Sequence, residues 1–267
     1  MMFGQATKRV GRFFYRHEAD AVSAEISEKN GVRALHLGSV AVQSAMRLAA
    51  PYELELAYTR GMMAFLLFSD DVRKVLVLGL GGGSIPKYIY YHLPQMHVTA
   101  VELNPAMLAV ARNQFYLPPD DARLQTIVGD GAVYVREHPG CAGVLMLDAY
   151  DNKGLAPDLS SQEFYDSCAE ALTADGILVV NLWGSDRNFD VYLQRIEQSF
   201  EGRVLVMPVA RPGNILVFAF KRDSGNLRWK ALRERAKLLQ TTFRIEFPEF
   251  VERLRDNNIN ASDCLIV

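Results

Sequence analysis

The chain has 267 residues, with 29 Lys and Arg against 31 Asp and Glu for a formal net charge of −2, and 49% of it is hydrophobic. That is enough apolar material for one large α/β domain, or for a main domain with a small appendage. The near-neutral balance gives no electrostatic case for nucleic acid, and no apolar run approaches the ~20 residues of a membrane span.

Cys141, Cys168 and Cys264 are widely spaced and form no metal pattern, and the five histidines show neither HxxxH nor HxH spacing. A sparse, odd set of cysteines fits a reducing compartment. The first twenty residues lack the long apolar core of a signal peptide. The expectation is a cytoplasmic soluble protein with no metal, no membrane and no nucleic-acid partner.

Residues 1–30 are polar and mixed, and Phe13, Phe14 and Tyr15 are expected to pack on something. From Ala21 to Leu37 two alternating runs flank Asn30-Gly31, a strong hairpin signal. Gly38 to Arg47 continues as short strand or loop. Pro51 opens a helix-like stretch, YELELAYTRGMMAFLLF. Residues 1–70 thus form a small hairpin region with a linking helix.

Lys74 to Glu102 reads as strand, glycine-rich turn, helix, strand. Val75 to Leu78 is an apolar run of the kind buried on both faces of a sheet. Gly79, Gly81, Gly82 and Gly83 allow a sharp turn and close approach to a ligand, because no Cβ intervenes. Ser84 is expected to cap a helix beginning near Pro86. The next strand, Val98 to Val101, ends on Glu102, where a carboxylate can accept hydrogen bonds from both hydroxyls of a ribose. A bare structural turn remains the alternative for the glycines alone.

Helices and strands then alternate. Asn104-Pro105 starts a helix. Strands are expected at Leu124–Val128, Val144–Leu147 and Ile177–Leu182, with helices over 132–137, 160–172 and 189–200. Two last strands, 203–209 and 214–220, are joined by four residues, too few for a crossover helix, so they must be antiparallel. The fold class is α/β: a doubly wound, Rossmann-like sheet of the S-adenosylmethionine-dependent transferase type. Its mostly parallel seven strands are closed by an antiparallel hairpin, and a small N-terminal β-hairpin domain precedes it. A dehydrogenase would be expected to repeat another βαβ half instead. The catalytic domain spans 71–222, and 223–267 adds a helical extension with a basic face.

Ligands of parallel sheets sit outside the carboxyl ends of the strands. The chain places glycines at the end of the first strand, Glu102 at the second, Asp130 at the third, and Asp148 with Asp151 at the fourth. Each acid alone would be a turn former or helix cap, but together they line one rim. Asp130 suits the exocyclic amine of adenine. Asp148 and Asp151 are left for the reacting end, where carboxylates attract ammonium and sulfonium groups and can take a proton from an attacking amine.

VLVLGLGGGSIPK, AVELNP, GDG and DAYD resemble the motifs of the polyamine aminopropyltransferases, the spermidine and spermine synthase family, and in particular its shorter bacterial members. Val42-Gln43-Ser44 resembles that family's glutamine segment. Ala156-Pro157, Leu159 and Phe164-Tyr165 resemble the segment lining its adenine pocket. The resemblance covers residues 25 to 220. It implies a homodimer that transfers an aminopropyl group from decarboxylated S-adenosylmethionine to a primary amine such as putrescine, releasing methylthioadenosine, with no prosthetic group. Glu102 would hold the ribose, Asp130 the adenine, and Gln43 the nucleoside. Gly79, Gly81, Gly82, Leu103, Gly131 and Pro157 would complete the nucleoside site. Asp148 would be the base, Asp151 would anchor an ammonium group, and Tyr58 would line the amine side.

Four positions depart from the family pattern. Gly82 stands where the family carries an Asp, Thr59-Arg60 where it carries His-Glu, and Asn152 where it carries Pro. Two other readings use the same residues. A methyltransferase would bind intact S-adenosylmethionine, with the open glycine loop and an arginine receiving its carboxylate. A non-catalytic nucleoside-binding protein would offer Arg60 or the C-terminal basic helix to a partner.

Overall fold

A computed structural model describes residues 12–19, 22–38, 41–151, 154–209, 213–223, 225 and 227–267, with the backbone alone at 12–19, 22, 23 and 151. The side chains of Phe13, Phe14 and Tyr15, and the whole of Asn152, lie outside that description.

Four strands form the N-terminal sheet: β1 (Arg12–Ala19), β2 (Val22–Lys29), β3 (Val32–Leu37) and β4 (Ser44–Arg47), all antiparallel and in that order. Lys29 pairs with Val32 across Asn30 and Gly31, whose φ values of 52° and 74° make the tight two-residue turn that matches strand twist. The hairpin expected from Asn-Gly is thus the centre of a larger sheet. Ala24, Ile26, Leu35 and Met46 of this sheet pack on Met107, Val110 and Phe115 of a main-domain helix.

The stretch after Pro51 differs from the expected continuous helix. Residues 53–56 are irregular, α1 covers only Ala57–Met62, and a 3-10 helix follows at Met63–Leu67. Met62 to Leu67 are six consecutive buried residues, so no single helical face is apolar, and the tighter turn buries them all round.

The main domain runs β5 (Lys74–Leu78), α2 (Ser84–His92), β6 (His97–Glu102), α3 (Pro105–Phe115), β7 (Leu124–Val128), α4 (Gly131–Glu137) and β8 (Ala142–Leu147). A short pair, β9 (Tyr150–Asp151) and β10 (Gly154–Leu155), leads through a 3-10 turn at Pro157–Leu159 to α5 (Gln162–Ala171). Then come β11 (Leu172–Trp183), α6 (Phe189–Ser199), β12 (Val204–Pro208) and β13 (Asn214–Phe220). The seven-stranded order is β12-β13-β11-β8-β5-β6-β7. Strands β11, β8, β5, β6 and β7 run parallel to one another, while β13 is antiparallel to both β11 and β12. Val75 and Val77 join one apolar core and Leu76 and Leu78 the other, so the period-two alternation of β5 splits its side chains between two covered faces.

Two helix starts show how local sequence sets the loops. Asn104 caps α3, its side chain accepting from the Ala106 amide, with Pro105 in the first turn. Ser84 is not the cap of α2. Gly83, at φ 70°, is the cap residue, and Ser84 already occupies the first helical position, where its hydroxyl makes no capping bond. The left-handed glycine brings the chain into the helix two residues before Pro86.

The C-terminal segment forms β14 (Leu227–Arg228), α7 (Trp229–Phe243), α8 (Phe247–Asn257) and β15 (Cys264–Leu265), with β14 and β15 paired. Trp229, Leu232, Phe247, Phe250 and Leu254 belong to the same core as Val75, Val179 and Phe218 of the sheet. Two basic residues of α7 are paired within the chain: Arg233 bonds Glu252 of α8, and Arg235 bonds Asp70 and the Leu66 carbonyl. No helix among the described residues is long and apolar enough to cross a membrane.

Candidate active site

A cavity of about 740 Å³ opens at the carboxyl ends of the parallel strands. Each strand delivers its terminal residues there: Gly79, Leu80 and Gly81 after β5, Glu102, Leu103 and Asn104 at β6, Gly131 after β7, and Asp148 and Tyr150 after β8. Asn181 and Trp183 come from the end of β11, and Asn214 from the start of β13. Gln43 and Ser44 of the N-terminal unit and Tyr58 of α1 close the opposite wall.

The glycine loop is needed here for space. Gly79 has φ +91°, and a Cβ on it would collide with the Asp148 carbonyl oxygen. The Gly79 amide donates to the Val101 carbonyl, and the Leu80 amide donates to Glu102 Oε2 at 2.9 Å. Glu102 Oε1 accepts from the Asn104 amide at 2.9 Å. Both carboxylate oxygens are thereby fixed in direction at the end of β6, each with acceptor capacity left for a ligand hydroxyl.

Gly82 carries out a different task from the one its place in the loop implied. It lies outside the cavity lining, and its amide donates to Ser44 Oγ at 2.9 Å. A Cβ at this position would stand 2.9 Å from Ser44 Cβ and 3.1 Å from the Phe115 ring. The N-terminal sheet is docked into the space an acidic side chain would need.

Asp148 is the most elaborately held group. Its Oδ1 accepts from Asn181 Nδ2 at 2.9 Å, and its Oδ2 from the Tyr58 hydroxyl at 3.2 Å. The Tyr58 hydroxyl is also 3.2 Å from the Gln43 carbonyl oxygen. Burial pushes the Asp148 carboxyl above the ordinary carboxylate range, and the two donors pull against that shift. Burial, followed by the neighbouring Asp148 charge, raises the Tyr58 phenol well above its usual value, so Tyr58 stays a hydrogen-bond donor. Tyr150 and Trp183 stack at 5.2 Å between centroids beside this carboxylate and form an aromatic wall.

Like Gly82, the expected site residues Asp130 and Pro157 lie outside the cavity lining. Asp130 caps α4: its Oδ1 accepts from the Ala132 and Val133 amides, and the residue is exposed and outside the cavity lining. Pro157 is likewise outside, its neighbours Ala156 and Leu159 lining the cavity instead. Arg60 turns away from the cavity altogether. Its Nε donates to both oxygens of Glu246, at 3.0 Å each, and its Nη1 to the Leu54 and Glu55 carbonyls. Thr59 is buried, its hydroxyl donating to the Leu56 carbonyl. Asp151 enters through its backbone, paired with Gly154; its carboxylate lies outside the described atoms.

The sequence reading missed Asn181 and Asn214. A polar residue inside the otherwise apolar run ILVVNLW is a usable signal for Asn181, whereas nothing in the sequence around Asn214 separates it from an ordinary strand start.

Residues 55–219 match the spermine/spermidine synthase domain, more than half of the chain. A polyamine aminopropyltransferase of Chromobacterium violaceum is 39% identical over 258 residues, covering 95% of this chain and 99% of that protein. The chain belongs to the spermine/spermidine synthase family. Spermidine synthase from Thermotoga maritima has a similar fold, with a TM-score of 0.70 at 20% identity over 91% of this chain and 84% of that one. A spermidine synthase in complex with the transition-state analogue AdoDATO has a TM-score of 0.64 at 22% identity, covering 79% and 74% of the two chains. Family membership accounts for the glycine loop, Glu102, Asp148 and Tyr58 converging on one cavity. The altered positions at Gly82, Thr59 and Arg60 all lie outside the lining of that cavity.

Proposed function

We propose that this chain is an aminopropyltransferase that uses decarboxylated S-adenosylmethionine and a primary amine acceptor. The observation that carries this reading is the charge of the cavity. Its described lining holds the carboxylates of Glu102 and Asp148 and no Lys, Arg or His, and Arg60 is occupied by Glu246. A cationic sulfonium bearing an aminopropyl arm suits that surface. An intact S-adenosylmethionine would bring a carboxylate to a site with no described cation to receive it.

Glu102 holds the two ribose hydroxyls with the acceptor capacity left beyond its two amides. Leu103, Gly131 and the Ala156–Leu159 segment flank the base, and Asp130 meets the adenine amine from the rim with the oxygen not used in capping. Gln43 closes over the nucleoside. At the other end, Asp148 takes a proton from the acceptor amine. The freed nitrogen attacks the aminopropyl carbon bound to sulfur. The carbon–sulfur bond breaks, its electron pair stays on sulfur, and methylthioadenosine leaves as a neutral thioether. Tyr58 and Asn181 hold the Asp148 carboxylate in the attacking direction, and Asp151 helps anchor an ammonium group. A homodimer in the cytoplasm completes the reading, a reducing compartment being suited to the unpaired Cys141, Cys168 and Cys264.

The test is incubation with decarboxylated S-adenosylmethionine and a panel of mono-, di- and polyamines, following methylthioadenosine. Release with at least one amine is expected, and release with none overturns the reading. Calorimetry against intact and decarboxylated donor should favour the decarboxylated form. A clear preference for the intact one would point to methyl transfer instead.

A further inference from the structure

Asp148 is held by a chain of side chains that reaches back to the antiparallel strand. Asn214 Nδ2 donates to Asn181 Oδ1 at 2.9 Å, and Asn181 Nδ2 donates to Asp148 Oδ1 at 2.9 Å. The direction is forced by chemistry. An ionised carboxylate only accepts, so Asn181 must turn its NH2 group to Asp148 and its carbonyl oxygen the other way. That oxygen then needs a donor, and Asn214 supplies it. Asn181 is buried inside β11, where an amide facing the wrong way leaves polar atoms unsatisfied. The two strands place the pair: β13 runs antiparallel to β11, with Asn214 opposite Trp183, two residues from Asn181 along β11.

We infer that Asn214 is a positioning residue for the base, acting through Asn181 to fix the direction of the hydrogen bond that orients Asp148 for proton abstraction. This rests on the reading of Asp148 as the base. Tyr58 of α1 faces the other carboxylate oxygen, Tyr150 lies beside it, and Glu102 is the other described carboxylate of the cavity. No described Lys, Arg or His lines the cavity to compensate for a lost donor. The hydrogen bond from Asn181 favours the ionised form of Asp148. Removing the constraint on Asn181 weakens that support, and the base then needs a higher pH to be ionised.

The experiment is a series at one position, read as the pH dependence of kcat with saturating donor and amine. Asn214→Leu keeps the branched outline of the side chain and cannot donate. Asn214→Asp can only accept, which turns the Asn181 NH2 toward position 214 and its carbonyl toward Asp148. Asn214→Gln retains the donor. The acidic limb of kcat is expected to move up by about one pH unit in Asn214→Leu, from the loss of one charge-assisted hydrogen bond. It should move further in Asn214→Asp and largely return in Asn214→Gln, while KM for the amine changes less than kcat. An unmoved limb in all three variants, or a rise in KM alone, overturns the inference. As a second measurement, the 13C carboxyl resonance of Asp148 is titrated in the wild-type protein and the variants. It should titrate at higher pH in Asn214→Leu than in wild type, and equal midpoints overturn the inference. If wild type turns over no amine, the functional reading fails, while this titration still decides whether Asn214 acts on Asp148.

Discussion

Arg60 and Glu246 form an ion pair across 186 residues of sequence, the Arg60 Nε–H shared between both carboxylate oxygens, joining α1 to the start of α8. Both side chains are about three-quarters shielded from solvent. The C-terminal extension therefore neutralises a cation on α1, two residues from Tyr58, which itself lines the cavity. A pair this shielded loses more when one partner is removed than an exposed pair does. Glu246→Gln should destabilise the protein by about 1–2 kcal/mol, a fall in Tm of several degrees. Differential scanning calorimetry checks this. The same variant should also raise KM for a cationic acceptor, because Arg60 is released.

Asp148→Asn should lower kcat by about 10²–10⁴-fold, the usual contribution of a general base, while methylthioadenosine still binds. The stability effect has the opposite sign. The Asp148 carboxyl is raised in the folded protein, so between the ordinary carboxylate value and the raised one the folded state binds more protons than the unfolded state. Stability therefore falls as pH rises through that window, and above it the ionised group is a standing cost. Asp148→Asn should melt at a higher temperature than wild type at pH 7, with the difference shrinking as pH is lowered toward 4. Melting curves across pH test the sign directly.

Restoring the acid that the family carries in the glycine loop should fail. Gly82→Asp places a side chain where Ser44 and Phe115 already sit, so overpacking is expected to cost about 1–3 kcal/mol. KM for a diamine should not improve, since position 82 lies outside the cavity lining. Urea unfolding and steady-state kinetics on the same preparation separate the two effects. An improved diamine KM without loss of stability would show that the N-terminal sheet moves aside.

Glu102→Gln should weaken methylthioadenosine binding by about 10–100-fold, in line with the loss of charge-assisted hydrogen bonds to the ribose. It also leaves the Leu80 and Asn104 amides to share one remaining carbonyl acceptor. Isothermal titration calorimetry gives the ratio. An unchanged Kd would place the ribose elsewhere.

The sequence by itself determined the parts governed by local periodicity and backbone chemistry. Alternating apolar strands and capped helices specify a parallel sheet, Asn30-Gly31 specifies the hairpin of the separate N-terminal sheet, and the strand-end acids follow because ligands meet parallel strands at one rim. Glu102 and Asp148 were legible on those grounds, since each closes an apolar run. Where side chains point depends on distant segments meeting in the folded chain. Arg60 read as a charge that a non-catalytic protein would offer to a partner, but Glu246 of the same chain occupies it. Gly82 read as a ligand-approach glycine, but Ser44 and Phe115 fill the space beside it. Asp130 read as an adenine acceptor, and its first partners are the amides of its own helix. Asn181 and Asn214 stand 33 residues apart, a separation that no local period encodes. Hydrogen-bond direction and free space are set by packing between elements, and packing is fixed only when the whole chain has folded.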